Sequence, residues 1–440
     1  MQKRALIPLI APVLALWMLP GVGATPEGST ADTPVIRITG EGRPKIPIAI
    51  PPIDVAAGNG ALGEAAEVIR QVVRDDLDFS GYFFIVPEEY HALISPWNDR
   101  QGNYKEWLGI GAESLLVTQA RNDGGREMVF EGRVFDTTER RMVLGKRYRG
   151  DYEAQRKIAH RMSNEIIQQY TGRQGVSLTR IAYVSETSRG KGKEIHVMDY
   201  DGSRVKRITA NGSINISPAW SADGTQIAYV SYRSGTPMLM ILSETGEDAR
   251  AFRQQGELNS APAWSPDGRL LAFSSSRDGN AEIYVMQVSS QKLTRLTRHP
   301  GIDTAPTWSP NGREIAFTSD RSGSPQIYVM DAEGANVHRI TYDVSYCDSP
   351  SWSQHGQIAF TARVPGGFDI FVKDLSSGVQ TQLTRNSGIN ETPRWSPDGR
   401  HLVFASNRTG SFDIYTMDAD GGRVKRLTHG GNSYLPAWSR

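Results

Sequence analysis

Six Trp-Ser pairs recur along the C-terminal part of the chain: Trp220-Ser221, Trp264-Ser265, Trp308-Ser309, Trp352-Ser353, Trp395-Ser396 and Trp438-Ser439. Successive tryptophans are 44, 44, 44, 43 and 43 residues apart. A period of about 40–50 residues is the length of one propeller blade, a unit that cannot bury its hydrophobic face alone and must stack on its neighbours.

One repeat shows what the unit contains. It opens with Pro262-Ala263-Trp264-Ser265-Pro266-Asp267-Gly268 and continues with Leu271-Ala272-Phe273-Ser274. The polar stretch Arg277-Asp278-Gly279-Asn280 follows, then Ile283-Tyr284-Val285-Met286 and Leu293-Thr294-Arg295-Leu296-Thr297. Pro presets φ and Gly tolerates positive φ, so the polar stretches are turns. Four short β-rich runs separated by turns make a four-stranded blade. The second runs of the other units keep the pattern: Ile181-Ala182-Tyr183-Val184, Ile227-Ala228-Tyr229-Val230, Ile315-Ala316-Phe317-Thr318, Ile358-Ala359-Phe360-Thr361 and Leu402-Val403-Phe404-Ala405.

The first unit lacks a Trp-Ser run, because Arg180-Ile181 starts at the second strand. Pro436-Ala437-Trp438-Ser439 is a Trp-Ser run without a unit of its own. Together they predict six blades, the first completed by the C-terminal strand, so that the ring closes and sheet edges disappear.

The N-terminus reads as a secretory signal over residues 1–24. Lys3 and Arg4 precede an apolar stretch from Ala5 to Pro20, and Val22-Gly23-Ala24 supplies the small residues of a cleavage site. The stretch is shorter than the roughly 20 residues that span a bilayer, so an exported product without direct membrane insertion is expected. The formal charge of +1 becomes −1 once those two cations are removed, which gives no electrostatic case for nucleic acid. Arg204-Val205-Lys206-Arg207 and Arg423-Val424-Lys425-Arg426 read as solvated hairpin faces. Cys347 is the only cysteine, which excludes an intramolecular disulfide.

Residues 25–40 begin with a Pro/Gly/Ser/Thr-rich stretch expected to be mobile. Within them Val35-Ile36-Arg37-Ile38-Thr39 alternates like a strand with no local partner. Such a strand docks on its own protein, adds to another protein's sheet, or starts the next domain. The extended run Ile46-Pro47-Ile48-Ala49-Ile50 carries a proline that suits an edge strand. A helix is predicted over Glu64–Leu77 from Ala65, Val68, Ile69, Val72 and Val73 at helical spacing. Strands follow at Leu115–Gln119, Met128–Val134 and Arg141–Tyr148, the first two joined by an Asn122-Asp123-Gly124-Gly125 turn. A second helix, Tyr152–Tyr170, ends at Thr171-Gly172. The expected fold is an α/β N-terminal domain over 41–172, a linker over 173–178, and an all-β six-bladed β-propeller over 179–440 closed by the C-terminal strand.

Catalytic signatures are absent: the chain has no G-x-S-x-G elbow, H-E-x-x-H, P-loop or zinc-type cysteine cluster. The eight histidines do not recur at the blade period. Asp199-Tyr200-Asp201-Gly202 and Asp418-Ala419-Asp420-Gly421 resemble half a calcium loop but lack the distal Glu, so they read as hairpin turns. Neither a metal nor a cofactor is expected. A polar position recurs ahead of the Pro-x-Trp strands as Asn215, Asn259, Asp303 and Asn390. The next residue varies: Ile216, Ser260, Thr304, Asp348, Glu391 and Tyr434. These positions are expected at one mouth of the central channel, with the Asn and Asp open either to turn capping or to binding. Varied chemistry on a regular scaffold suits a protein-binding face.

The ordered sequence of signal, small α/β domain and six units carrying W-S-P-D-G, I-A-F and I-Y-V-M-D strings resembles the TolB family of the Tol-Pal system. The entry Thr179-Arg180-Ile181-Ala182-Tyr183-Val184 and the closing Pro436-Ala437-Trp438-Ser439 carry the resemblance most specifically. The resemblance implies a non-enzymatic, monomeric periplasmic protein. The resemblance further implies binding of the lipoprotein Pal at the propeller mouth and of the TolA C-terminal domain through the N-terminal segment, in support of outer-membrane invagination at division. Mapped here, the TolA segment is Val35, Ile36, Arg37, Ile38 and Thr39. The Pal face gains Leu258, Ala261 and Thr304, with Leu258 standing where the best-known family member has histidine. Two other classes stay open. A periplasmic propeller hydrolase would use acids such as Asp303, Asp348 and Glu391, and a glycan-binding protein would use aromatics such as Tyr434.

Overall fold

The computed structural model describes residues 45–440 apart from 57–59, 99–101, 126, 187–191, 248 and 253–258. The expected signal, the strand Val35–Thr39 and Leu258 lie outside the described residues.

The N-terminal part is one mixed sheet with two long helices on one face. Its elements are β1 (Ile46–Ala49), β2 (Asp54–Val55), α1 (Gly60–Phe79), β3 (Phe83–Ile85), α2 (Glu88–His91), α3 (Tyr104–Gly109), β4 (Ser114–Asn122), β5 (Glu127–Asp136), β6 (Arg141–Asp151) and α4 (Gln155–Thr171). The strand order is β3-β1-β4-β5-β6, parallel on the β3 side and antiparallel from β4 onward. Helical spacing puts Leu62, Ile69, Val73 and Leu77 of α1 and Ile158, Met162 and Ile166 of α4 against Ile48, Leu116 and Phe130 of the sheet. Gly172 ends α4 in the left-handed conformation at φ 69°, its N–H bonding Gln168 O.

β1 is an interior strand, contrary to the edge position its proline suggested. Ile46 N–H bonds Tyr82 O, and Ile48 O accepts from Val86 N–H, so both residues face β3. Pro47 faces the other way, where the β4 ladder begins only at Ile48↔Ser114. Its missing N–H therefore costs no ladder bond.

Six four-stranded antiparallel sheets form the propeller. The innermost strands are Ser433–Trp438, Asn215–Trp220, Asn259–Trp264, Asp303–Trp308, Cys347–Trp352 and Asn390–Trp395, for blades 1 to 6 in turn. Ser433–Trp438 pairs with Arg180–Glu186 in the register Trp438↔Ile181 and Ser433↔Ser185, so the C-terminal strand completes blade 1 as the sequence predicts.

The repeated motif has a bonding reason. In Trp264-Ser265-Pro266-Asp267-Gly268, Ser265 Oγ donates to Asp267 Oδ1 at 2.6 Å and accepts from Leu270 N–H at 2.9 Å, with Gly268 at φ 70°. The tryptophan is a pin between blades: the indole N–H groups of Trp220, Trp264 and Trp308 donate to Ala437 O, Ala219 O and Ala263 O on the preceding blade. Phe273, Phe317, Phe360 and Phe404 of the second strands are fully buried between sheets.

The α/β part docks on blades 1 and 6, at the face where the innermost strands end. Phe79 stacks on the His401 ring at 4.0 Å, and its carbonyl accepts from His401 Nε2 at 2.8 Å. Arg423 donates to Asp78 O and Phe79 O, and Arg400 to Ser80 O. The opposite face, where the innermost strands begin, is the channel mouth.

Candidate functional site

All six innermost strands wall a central channel of about 570 Å³. Every wall strand has the same break. The ladder skips two residues, for example Ser217 and Pro218 between the pairs Ile216↔Val230 and Ala219↔Ala228. The first skipped residue is left-handed in all six blades: Ser217, Ala261, Ala305, Ser349, Thr392 and Leu435 have φ of 49–56°. A proline follows each of them and bars the right-handed helical region. A left-handed non-glycine residue costs roughly 1–2 kcal/mol, so the ring of bulges is a strained rim kept by its pairing on both sides.

The mouth residues separate into two layers. Asn215, Asn259, Asp303 and Asn390 are fully buried beneath the rim. Asn215 and Asn390 donate to the buried Glu194 and Asp369, Asn259 donates to Pro237 O, and Asp303 accepts from Arg321 at 2.7 Å. Burial pushes the Asp303 carboxyl up, against the pull of Ser319 and Arg321. Asn259 and Asp303 therefore act as buried struts of the rim, while the residues that follow them, Ser260 and Thr304, are half-exposed.

The upper layer is half-exposed: Ile216, Ser260, Ala261, Thr304, Asp348, Glu391 and Tyr434. Asp348 Oδ1 accepts from Thr318 Oγ1 at 2.9 Å and from Ser349 N–H. Burial raises the Glu391 carboxyl above its ordinary range, and neighbouring Asp348 adds to the effect. Below them Arg394 lines the channel, its guanidinium lowered to about 10 by burial. Tyr434 packs on Phe412 and under the Lys193 ammonium.

Among the described residues, another column of the repeat belongs to this rim. The residue before each innermost strand is Asn432, Ile214, Leu258, Ile302, Tyr346 or Ile389. Ile214 is 44% exposed and Ile302 50% exposed, and Tyr342 at 65% stands in the same loop as Tyr346. Only Leu258 of this column was singled out by sequence reasoning. The Trp period would have found the rest, since each lies six residues before its tryptophan.

Comparison with known proteins follows this architecture. The family described as the TolB beta propeller domain matches residues 167–366 and 347–440, and the TolB amino-terminal domain matches 34–143. The chain belongs to the TolB family. It is 39% identical over 258 residues to the Tol-Pal system protein TolB of Desulfosudis oleivorans, covering 57% of this chain and 55% of that one. Against the protein of the same name from Dinoroseobacter shibae it is 35% identical over 246 residues, covering 55% and 54%. These matches span about half the length of the curated relatives. The crystal structure of TolB from Acinetobacter baumannii is similar over 90% of this chain and 96% of that one, at 28% identity and a TM-score of 0.78. No helix among the described residues is long and apolar enough to cross a membrane.

Proposed function

We propose that the chain is a non-catalytic periplasmic component of the Tol-Pal system, with two protein partners on two surfaces. The propeller mouth binds the lipoprotein Pal. Residues 25–40, through Val35–Thr39, bind the C-terminal domain of TolA. The complex supports outer-membrane invagination during division and envelope integrity. The two curated relatives quoted above bear the name Tol-Pal system protein TolB, which supports the system.

The observation that carries the Pal assignment is the make-up of the rim. Ile214 and Ile302 expose apolar side chains at the starts of the blade 2 and blade 4 wall strands, and blades 5 and 6 add the half-buried acids Asp348 and Glu391. Apolar groups flanked by charge on a pre-ordered scaffold form an interface with little ordering cost. Among the described residues, the α/β domain docks on blades 1 and 6 at the other face. Titration of soluble Pal and of the TolA C-terminal domain into the chain, with and without residues 25–39, tests the reading. Loss of TolA binding with Pal binding retained supports it. Failure of the intact chain to bind either partner overturns it and directs attention to hydrolase chemistry at Asp348 and Glu391.

A further inference from the structure

The turn Asp199-Tyr200-Asp201-Gly202 is a hairpin turn of blade 1, as its sequence reads, but the fold brings it against helix α4. His160 of that helix is 1% exposed and held between two sets of carboxylates. Its Nδ1 lies 2.9 and 3.1 Å from the two oxygens of Asp76 on α1. The Tyr200 hydroxyl donates to the same carboxylate at 2.5 Å. A carboxylate only accepts, so Nδ1 donates to Asp76, which leaves Nε2 as the nitrogen available to a ligand.

That Nε2 is buried and has no hydrogen-bond partner. It points at Asp199 Oδ2 and Asp201 Oδ2, each 3.9 Å away. All three ligand-type atoms lie within 4.8 Å of one another. A gap of 3.9 Å is too long for a hydrogen bond. Two metal–ligand bonds of about 2.0–2.2 Å span roughly that distance. The imidazole nitrogen and the two carboxylate oxygens thus converge on one buried point, where a cation would be held by all three.

Three further features favour a cation. The Asp76–His160 contact is the carboxylate–imidazole support that orients metal-binding histidines. Asp199 and Asp201 are themselves held, Asp199 by Arg204 at 2.6 and 3.0 Å and Asp201 by Arg156. Three carboxylates against two guanidinium groups favour a further positive charge at the point where they meet. Blade 6 differs: near Asp418-Ala419-Asp420-Gly421, His401 Nε2 donates to the Phe79 carbonyl, and its buried Nδ1 faces a single acid, Asp398 Oδ1 at 3.7 Å.

We propose that His160, Asp199 and Asp201 bind a divalent cation of the zinc class, clasping the α/β domain to blade 1. One imidazole and two carboxylates suit Zn²⁺ or Co²⁺ better than Ca²⁺, which takes an all-oxygen shell.

The test is titration of ZnCl2 and, separately, CaCl2 into the chelator-treated full chain by calorimetry, with His160→Gln and Asp76→Asn as variants. The expected result is one Zn²⁺ per chain, negligible Ca²⁺ binding, loss of the site in H160Q, and about 10–100-fold weaker binding in D76N. The absence of stoichiometric Zn²⁺, or equal binding by wild type and folded H160Q, overturns the proposal. Should H160Q fail to fold, the visible spectrum of the Co²⁺-loaded wild type decides. Bands of a mixed nitrogen and oxygen site support the assignment; a spectrum no different from free Co²⁺ contradicts it.

Discussion

The indole N–H of Trp438 donates to the Thr179 hydroxyl at 2.8 Å, across 259 positions of sequence. Trp438 lies in the closing strand of blade 1, and Thr179 stands at the threshold of that blade, its hydroxyl also donating to Val176 O. The closure therefore locks the end of the chain to the segment joining the α/β part to the propeller.

Trp438→Ala removes the indole bond and a buried ring, and should lower stability by about 3–5 kcal/mol. Thr179→Val keeps the packing and loses the bond, with an expected cost of about 1 kcal/mol. Guanidinium unfolding of both variants orders these costs. Equal, small losses would mean that the C-terminal strand does not carry ring closure.

Phe79→Ala deletes the ring stacked on His401 and 5.0 Å from Tyr200. A loss of about 3 kcal/mol is expected, concentrated at the contact between the α/β part and blades 1 and 6. Scanning calorimetry should then resolve two transitions where the wild type shows one. A single transition at the wild-type temperature would contradict this docking.

How much of this was legible in the sequence depended on the range of the interaction. The blades, their turns and the closure follow from local chemistry repeated at fixed spacing, which the Ser265–Asp267 bond illustrates. Helix α1 was read from its apolar stripe. The interior place of β1 was not, because strand order is set by pairing with β3 and β4, far along the chain. Within the mouth, Asn259 and Ser260 are adjacent in sequence, yet alternation along a strand buries one and leaves the other half-exposed. Composition does not reveal which of the two points inward. Ile214 and Ile302 went unnoticed because an isolated aliphatic residue in a loop carries no signal until the repeats are aligned.

Cys347 is buried, and burial pushes its thiol up to about 12. The thiolate is the reactive form, so Ellman's reagent at pH 8 should leave the folded protein unlabelled and titrate one thiol in denaturant. Rapid labelling of the folded protein would place the thiol at an accessible surface instead.

Glu391 has its folded carboxyl raised by burial and by Asp348. A raised acid binds its proton more tightly in the folded state, so stability declines as pH rises from the unfolded value, about 4.3, through the folded one. Glu391→Gln should therefore be more stable than wild type at pH 7, with the difference vanishing near pH 4. Melting temperatures across that range give the answer. A gain independent of pH would assign the effect to packing.

The central claim is that the rim of the propeller mouth binds Pal. The most direct measurement is the affinity of soluble Pal for Ile302→Asp and Ile214→Asp beside wild type, with the melting temperature of each. Both side chains are exposed, so stability should change by less than about 0.5 kcal/mol. The account predicts at least a ten-fold weaker affinity for Pal and unchanged binding of the TolA C-terminal domain. Unaltered Pal affinity in both folded variants would contradict it.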